Sequence, residues 1–241
     1  MADYILEIIE TKLETSDTKS IKLDIKGTDI QYKPGQYLMM TFPDLIDEER
    51  GDMRPFTMSS SPTEKDFIMI TTKISDSKFK QRLNQLNKED KVNVKLPFGR
   101  FTLDENYTGQ IVMIAGGIGI TPFRSHIKYA TDIELPLKMT LLYSNKVREE
   151  IAFYEEFEQL MRMNPNLEVI HTVTKPEESK PKWNGRDGRI DEKMIREFAT
   201  DFDNTLFYIC GPPAMVDAMV TLLKNIGAKP ELIKAEKFVG Y

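Results

Sequence analysis

The hydrophobic rhythm of this 241-residue chain changes once, near residue 106, and that change limits the folds open to it. Upstream, apolar residues come in short runs and partial alternations such as YILEIIE, YLMMTF, FIMITTK and VNVKLP, broken by KPGQ, GDMRP and FGR. A period of two punctuated by glycine and proline is the pattern of β-strands. One interruption, residues 77–86, sets Phe79, Leu83 and Leu86 at helical spacing and predicts a single short helix within an all-β unit. Downstream the order is apolar strand, loop and amphipathic helix, several times over. Strands are predicted at residues 111–115, 139–143, 167–173, 206–210 and 232–238, and helices at 122–130, 149–163, 191–199 and 214–226. Such alternation predicts a parallel, helix-covered sheet. The joint falls in the polar stretch DENYTGQ, giving expected domains 1–106 and 107–241.

Composition removes several classes of function. Thirty-three basic residues against 38 acidic ones leave a net charge of -5, with no electrostatic footprint for nucleic acid or an anionic membrane. One cysteine, Cys210, builds no intrachain disulfide, no four-cysteine iron–sulfur cluster and no cysteine zinc site, so redox chemistry requires an organic cofactor. His126 and His171 lack metal-ligand spacing with any carboxylate or cysteine and read as structural; no metal is expected. No eighteen apolar residues run together, and the first ten residues carry acids where a signal peptide carries bases, so no membrane span and a cytoplasmic location are expected.

The segment IVMIAGGIGITPFRSHIKYA places Gly116, Gly117 and Gly119 directly after an apolar strand, with Thr121 positioned to cap a helix starting at Pro122. Glycines let the backbone approach a pyrophosphate, and the amides and positive dipole end of the helix favour its charge. The third glycine of G-x-G-x-x-G falls on Pro122, and such a turn also exists for packing alone. Ligands of open parallel sheets sit at the carboxyl ends of strands, where this loop, Ser144 to Lys146 and Cys210 to Pro213 converge. The LLYSNK strand end lacks the acidic residue that takes the ribose 2'-hydroxyl of NAD. Ser144 and Lys146 suit a 2'-phosphate better than a diol, which favours NADPH over NADH; a solvated helix start before Glu149 and Glu150 is the alternative.

RPFTMSSSP, residues 54–62, sets an arginine, an aromatic and a dense run of hydroxyls inside an apolar strand context. A guanidinium forks onto phosphate, an aromatic covers a planar ring and a hydroxyl bonds a ring nitrogen, while an edge strand with a polar face fits the same residues. GRDGRID, residues 185–191, reads as turn chemistry, with Arg189 either reaching a nucleotide phosphate or standing in solvent.

RPFTMSSSP, GGIGITP and ICGPP, in this order and spacing, resemble the ferredoxin-NADP reductase superfamily over nearly the whole chain, and KPGQY and LPFGRF resemble its barrel motifs. The resemblance implies an antiparallel β-barrel that binds FAD, then a Rossmann-like α/β domain with a parallel sheet that binds NAD(P). It implies that Arg54, with Pro55 beside it, contacts the FAD pyrophosphate, that Phe56 lies near the isoalloxazine where tyrosine is commoner, and that Thr57 bonds toward flavin N5. Ser60 would line the FAD groove. The family's G-x-x-S turn is altered here to Ser77, Lys78, Phe79 and Lys80, so that Lys80 either holds phosphate or is solvated. The same resemblance puts Cys210, Gly211 and Pro212 beside the nicotinamide with Thr121 approaching it, lets Glu236 support that network, and covers the flavin with Phe238 or Tyr241. The implied activity is hydride transfer from C4 of NAD(P)H to N5 of FAD, with Thr57, Cys210 and Glu236 as its catalytic set, and electron delivery to ferredoxin, flavodoxin or another redox partner. A reductase of free flavin or a small acceptor, and a non-catalytic nucleotide-binding electron-transfer subunit, are the alternatives.

Overall fold

In a computed structural model, which describes residues 1–45 and 51–239, the chain forms two six-stranded sheets that meet along one seam. The first contains β1 (Ala2–Leu13), β2 (Thr18–Asp24), β3 (Tyr37–Thr41), β4 (Met53–Thr57), β5 (Phe67–Lys73) and β6 (Lys91–Phe98). Its order is β4-β3-β6-β1-β2-β5, with every pairing antiparallel. A bridge from Met58 to Ile70 brings the two outer strands together and closes the sheet on itself. Alternate residues face inward, so Leu6, Ile8, Ile21, Leu23, Leu38, Met40, Val92 and Val94 form one apolar interior. The predicted helix is α1 (Lys78–Asn84), which presses Phe79 and Leu83 into that interior. Ser77 caps it by accepting from the Lys80 amide, and at the other end the buried Lys19 ammonium donates to Asn84 O at 2.7 Å and Leu86 O at 3.0 Å. Both helix ends are thereby satisfied.

The second sheet is parallel throughout: β7 (Gln110–Gly116), β8 (Lys138–Asn145), β9 (Leu167–Val173), β10 (Arg186–Asp187), β11 (Thr205–Gly211) and β12 (Ile233–Lys237), in the order β10-β9-β8-β7-β11-β12. Helices α2 (Thr121–Asp132) and α3 (Tyr154–Met163) pack through Phe123, Ile127, Phe157 and Leu160 on Met113, Leu141 and Tyr143. On the opposite face α4 (Glu192–Phe198) and α5 (Pro213–Asn225) cover Val112, Ile114, Leu142 and Phe207. The strand order reverses between β7 and β11, which makes the crevice at their carboxyl ends a ligand-binding position.

Three local expectations fail. The helix expected from residue 149 starts at Tyr154, because Ile151, Ala152 and Phe153 turn into the core and Phe153 takes a left-handed φ of 62° that ends any helix through it. Residues 186–187, expected within a turn, pair with Thr172 and Val173 as an edge strand. Thr121 does not cap: a 3₁₀ turn at Gly117–Ile120 runs straight into α2, and the Thr121 hydroxyl donates to Ile118 O at 3.2 Å. No extended residue remains for a cap to occupy.

The seam is polar. Arg124 of α2, 5% exposed, donates to Ser59 O at 2.7 Å and to Glu64 at 2.9 and 3.2 Å on the barrel side, and to Glu156 of α3 at 2.9 and 2.7 Å on its own. Burial alone would lower the pKa of this guanidinium, but the charges of Glu156 and Glu64 outweigh burial and raise it. Next to it Ser125 donates to Ser60 O at 2.6 Å, and His126 Nε2 meets Phe101 O at 3.1 Å. Gly35, of the KPGQY motif, has a φ of 88°, and a Cβ there would lie 2.2 Å from His126 Nε2, so this turn is shaped to receive the imidazole. The Tyr208 hydroxyl donates to Thr102 O and accepts from the Asp104 amide and Lys234, which ties the connecting segment to β11.

Both histidines are structural in this arrangement. Burial pushes His126 down to about 3 and His171 down to about 4, so each stays neutral at physiological pH. Neither ring nitrogen of His171 has a hydrogen-bond partner among the described residues; the ring lies between Tyr143 and Tyr154, with centroids at 5.8 and 4.8 Å. Since the unfolded chain takes up a proton near pH 6.5 and folded His171 only near 4, stability should fall as pH drops through that interval. The loss is up to about 1.4 kcal/mol per pH unit for each such histidine. In urea titrations His171→Phe should keep wild-type stability at pH 7 and flatten the slope between pH 6.5 and 4 by about that amount. An unchanged slope would refute the assignment.

Candidate active site

The strand that runs from Met53 to Thr57 delivers its last four residues to a cleft of about 570 Å³ between the two sheets. Tyr37 of β3 forms one wall beside them, in register with Thr57, and stacks on Phe98 at 5.6 Å. Thr71 and Thr72 of β5 and Ser77, Phe79 and Lys80 around the start of α1 form the barrel end. Ile118 and Thr121 from the glycine turn, and Glu236, Lys237, Phe238 and Val239 at the end of β12, complete the cleft from the other sheet. Volumes of this size are those of small-molecule and cofactor sites.

Two cations stand at the barrel end. The Arg54 guanidinium donates to Gly51 O at 2.8 Å and Met53 O at 2.9 Å and lies 5.2 Å from the Phe79 ring centre. The Lys80 ammonium donates to the Thr72 hydroxyl and lies 4.8 Å over the Phe56 ring. Burial, then the charge of Arg54, lowers Lys80 to about 8. Two like charges held this close at the cleft wall give this end a cationic character suited to an anion. Phe56 is buried against Phe79 at 5.9 Å, and Thr57 is 7% exposed at the cleft wall. At the opposite end burial pushes the Glu236 carboxyl up to about 7, which makes it a proton-exchanging group at neutral pH. Phe238 lines the cleft half-buried, its amide donating to Gly211 O at 3.0 Å.

Of the residues expected from sequence, Arg54, Pro55, Phe56, Thr57, Lys80, Thr121, Glu236 and Phe238 share this cleft. Ser60 does not. It is fully buried, its hydroxyl bonded to the Tyr32 hydroxyl at 2.8 Å and the Met69 amide at 2.9 Å, so it shapes the turn after β4 instead of lining the groove. Cys210 is also fully buried and outside the lining; burial, then Glu236 in register with it across β11 and β12, pushes its thiol well up, so the thiol presents no nucleophile. Pro122 is buried in the first turn of α2, Gly211 ends β11, and Pro212 is exposed before α5. Ser144 is the half-buried penultimate residue of β8, Lys146 lies 3.4 Å from Glu178, and Arg189 is exposed beyond β10; the three stand at the carboxyl ends of strands but outside the cleft. Tyr241 lies outside the described residues. Tyr37, Thr72 and Phe79 join the cleft without being expected as site residues; the KPGQY motif is the signal for the first.

The glycines of the turn differ in purpose. A Cβ on Gly119 would lie 2.3 Å from Cys210 O, so only glycine lets the turn lie against the end of β11. Gly117 has a φ of 51° and nothing within 4 Å of its Cβ position, so it keeps open space next to the amides that start α2.

Comparisons with known proteins agree with this geometry. Residues 6–103 match the oxidoreductase FAD-binding domain family and residues 113–221 the oxidoreductase NAD-binding domain family. A component polypeptide of the Na(+)-translocating NADH-quinone reductase of Klebsiella pneumoniae is 28% identical, in an alignment covering 97% of this chain and 67% of that protein. The structure of an Amycolatopsis cytochrome P450 reductase superposes with a TM-score of 0.84 at 20% identity, covering 98% of this chain and 70% of that one. A ferredoxin NADP+ reductase from Neisseria gonorrhoeae, with bound FAD and NADP, gives 0.80 at 18% identity, covering 98% and 99%. At these identities the two structures share the fold with this chain. The cofactors of the two domains are FAD and a nicotinamide dinucleotide.

Gly119→Ala should lower folding stability by roughly 2 kcal/mol or more, because backbone must move to admit the methyl group. Gly117→Ala, which meets no atom and suffers only left-handed strain, should cost about 1 kcal/mol. Thermal unfolding of the two variants checks this; equal losses would overturn the distinction.

Proposed function

We propose that this chain, a member of the ferredoxin-NADP reductase superfamily by its FAD-binding and NAD-binding domains, takes a hydride from a nicotinamide dinucleotide onto FAD and passes the electrons to a separate redox partner. The single observation that carries this reading is the shared cleft, in which Thr57 of the barrel and Thr121 of the glycine turn line one space. FAD, when bound, supplies a ring nitrogen that accepts hydride and the capacity to release electrons one at a time.

The chain's own part is binding, orientation and proton placement. Arg54 and Lys80 are assigned the FAD pyrophosphate, since they form the cationic corner. Phe56 with Tyr37 supplies flat apolar surface, and Thr57 the hydroxyl toward the flavin edge. The amides of the glycine turn and of the first turn of α2 are assigned the dinucleotide pyrophosphate, with Thr121 at the nicotinamide end. Glu236 holds a proton at the cleft that exchanges near neutral pH. Ser144 and Lys146, at the end of β8, are assigned a 2'-phosphate, with Lys146 3.4 Å from Glu178. We assign the two domains to residues 1–106 and 107–241, bounds that the matched spans 6–103 and 113–221 support.

With one cysteine, fully buried, these 241 residues hold no cysteine-ligated cluster, so within them the flavin is the group that hands electrons on. Ferredoxin or flavodoxin is one class of acceptor; the NADH-quinone reductase relatives support another, a partner within a quinone-reducing assembly.

The test is the flavin itself. Protein reconstituted with FAD and desalted should be yellow and should bleach without oxygen on addition of NADH or NADPH; colourless protein, or colour unmoved by either, would refute the reading. Loss of a charge-assisted phosphate contact is worth roughly 1.5–3 kcal/mol, so Arg54→Ala should raise the FAD Kd by about 10- to 100-fold. An anion beside Lys80 favours its ammonium form, so FAD binding is complete below the free-site value of about 8 and above it must take up a proton. The FAD Kd should then rise by up to about tenfold per pH unit above 8, and Lys80→Met should abolish that rise.

A further inference from the structure

The two strips of backbone that face each other across the cleft run, within a few residues, into the polar seam. Thr57 leads to Ser59 and Ser60, and Thr121 leads to Arg124 and Ser125. At that point Arg124 Nη1 donates to Ser59 O at 2.7 Å and Ser125 Oγ to Ser60 O at 2.6 Å, so the backbone beyond Thr57 is fastened to the first two turns of the helix that begins at Thr121. A guanidinium has five N–H donors in a planar fork, and here five bonds run to Ser59 O, Glu64 and Glu156. The directions of that fork fix strand, turn and helix relative to one another, which a lysine ammonium cannot reproduce. Arg124 itself does not line the cleft. Elsewhere the sheets are joined by His126 to Phe101, Lys73 to Glu150 and Thr63 to Asp132, so the two halves stay together without it.

We propose that Arg124 is a positioning residue that sets the separation and alignment of the hydride donor and acceptor by clamping the Thr57 strand end to the Thr121 helix start. The inference rests on the hydride-transfer reading of the cleft. In the step it serves, the C4–H bond of the dihydronicotinamide breaks, its electron pair and proton pass together to flavin N5, the nicotinamide becomes the oxidised cation and the flavin is reduced by two electrons. Misplacing the reacting atoms by about 1 Å slows such a step by about 100-fold without changing what binds.

The experiment uses the full-length FAD-loaded chain and its Arg124→Lys and Arg124→Met variants, with Glu64→Gln as a milder loosening of the barrel side. FAD content, thermal midpoint and dinucleotide Kd are measured first. Anaerobic stopped-flow reduction follows, with NADH and with NADH deuterated at C4, alongside hydrogen exchange of segments 57–61 and 118–125. The expected result is FAD content and NADH Kd within about twofold of wild type, hydride transfer slowed by about 10- to 100-fold, an altered deuterium isotope effect, and faster exchange confined to those two segments. Glu64→Gln should show a smaller change of the same sign. Unchanged rate and isotope effect in flavin-loaded Arg124→Lys would overturn the inference, as would loss of activity that only tracks loss of FAD. A wild-type flavin that neither dinucleotide reduces would instead refute the functional reading itself.

Discussion

A cation sealed between two carboxylates decides how the halves of this molecule meet. Once Arg124 is shut away from water, each of its donors must find an acceptor, and the acceptors come from β4's exit turn, the loop carrying Glu64 and helix α3. Removing any one acceptor leaves a buried charge short of a partner, so the arrangement tolerates no sliding of one sheet over the other. The cleft inherits its width from that condition. Its walls come from a closed barrel and a doubly covered sheet, and neither contains a complete site.

Polarity is distributed along the cleft in a way that follows from burial. Arg54 and Lys80 are held near each other at one end, close enough that the charge of Arg54 helps to lower Lys80. At the far end the Glu236 carboxyl, half-buried next to β11, is pushed up to about 7 by burial. Between them lie Phe56, Tyr37 and the two threonines, which present apolar faces and hydroxyls without formal charge. A ligand with an anionic part and an uncharged planar part is matched in sense.

The two-sheet plan was legible because hydrophobic period is a property of many residues at once: the period-two runs before residue 98 and the strand–helix alternation after residue 110 each repeat several times. What escaped was set by single tertiary contacts. Nothing local to Phe153 announces that it will enter the core with a left-handed backbone, nor that the Ser60 hydroxyl is spent on Tyr32 and Met69. The cap expected at Thr121 failed for a similar reason, since a 3₁₀ turn whose Gly119 lies against the end of β11 runs straight into the helix. Arg124 itself carried no signal, being one basic residue on a helix. Arg54, Phe56 and Thr57 were readable as a group because the motif order, not their individual chemistry, singled them out.

The first strand has one further consequence. β1 pairs with β2 along one edge and with β6 along the other, Ala2 standing opposite Leu96. A nascent chain leaving the ribosome therefore carries β1 with one edge unpaired until β6 emerges, about ninety residues later. The α/β sheet repeats the delay, because its central β7 waits for β11 from residue 205 onward. Both sheets thus complete late, and until then the unpaired N–H and C=O groups along these strand edges are open to pairing with a neighbour's strand.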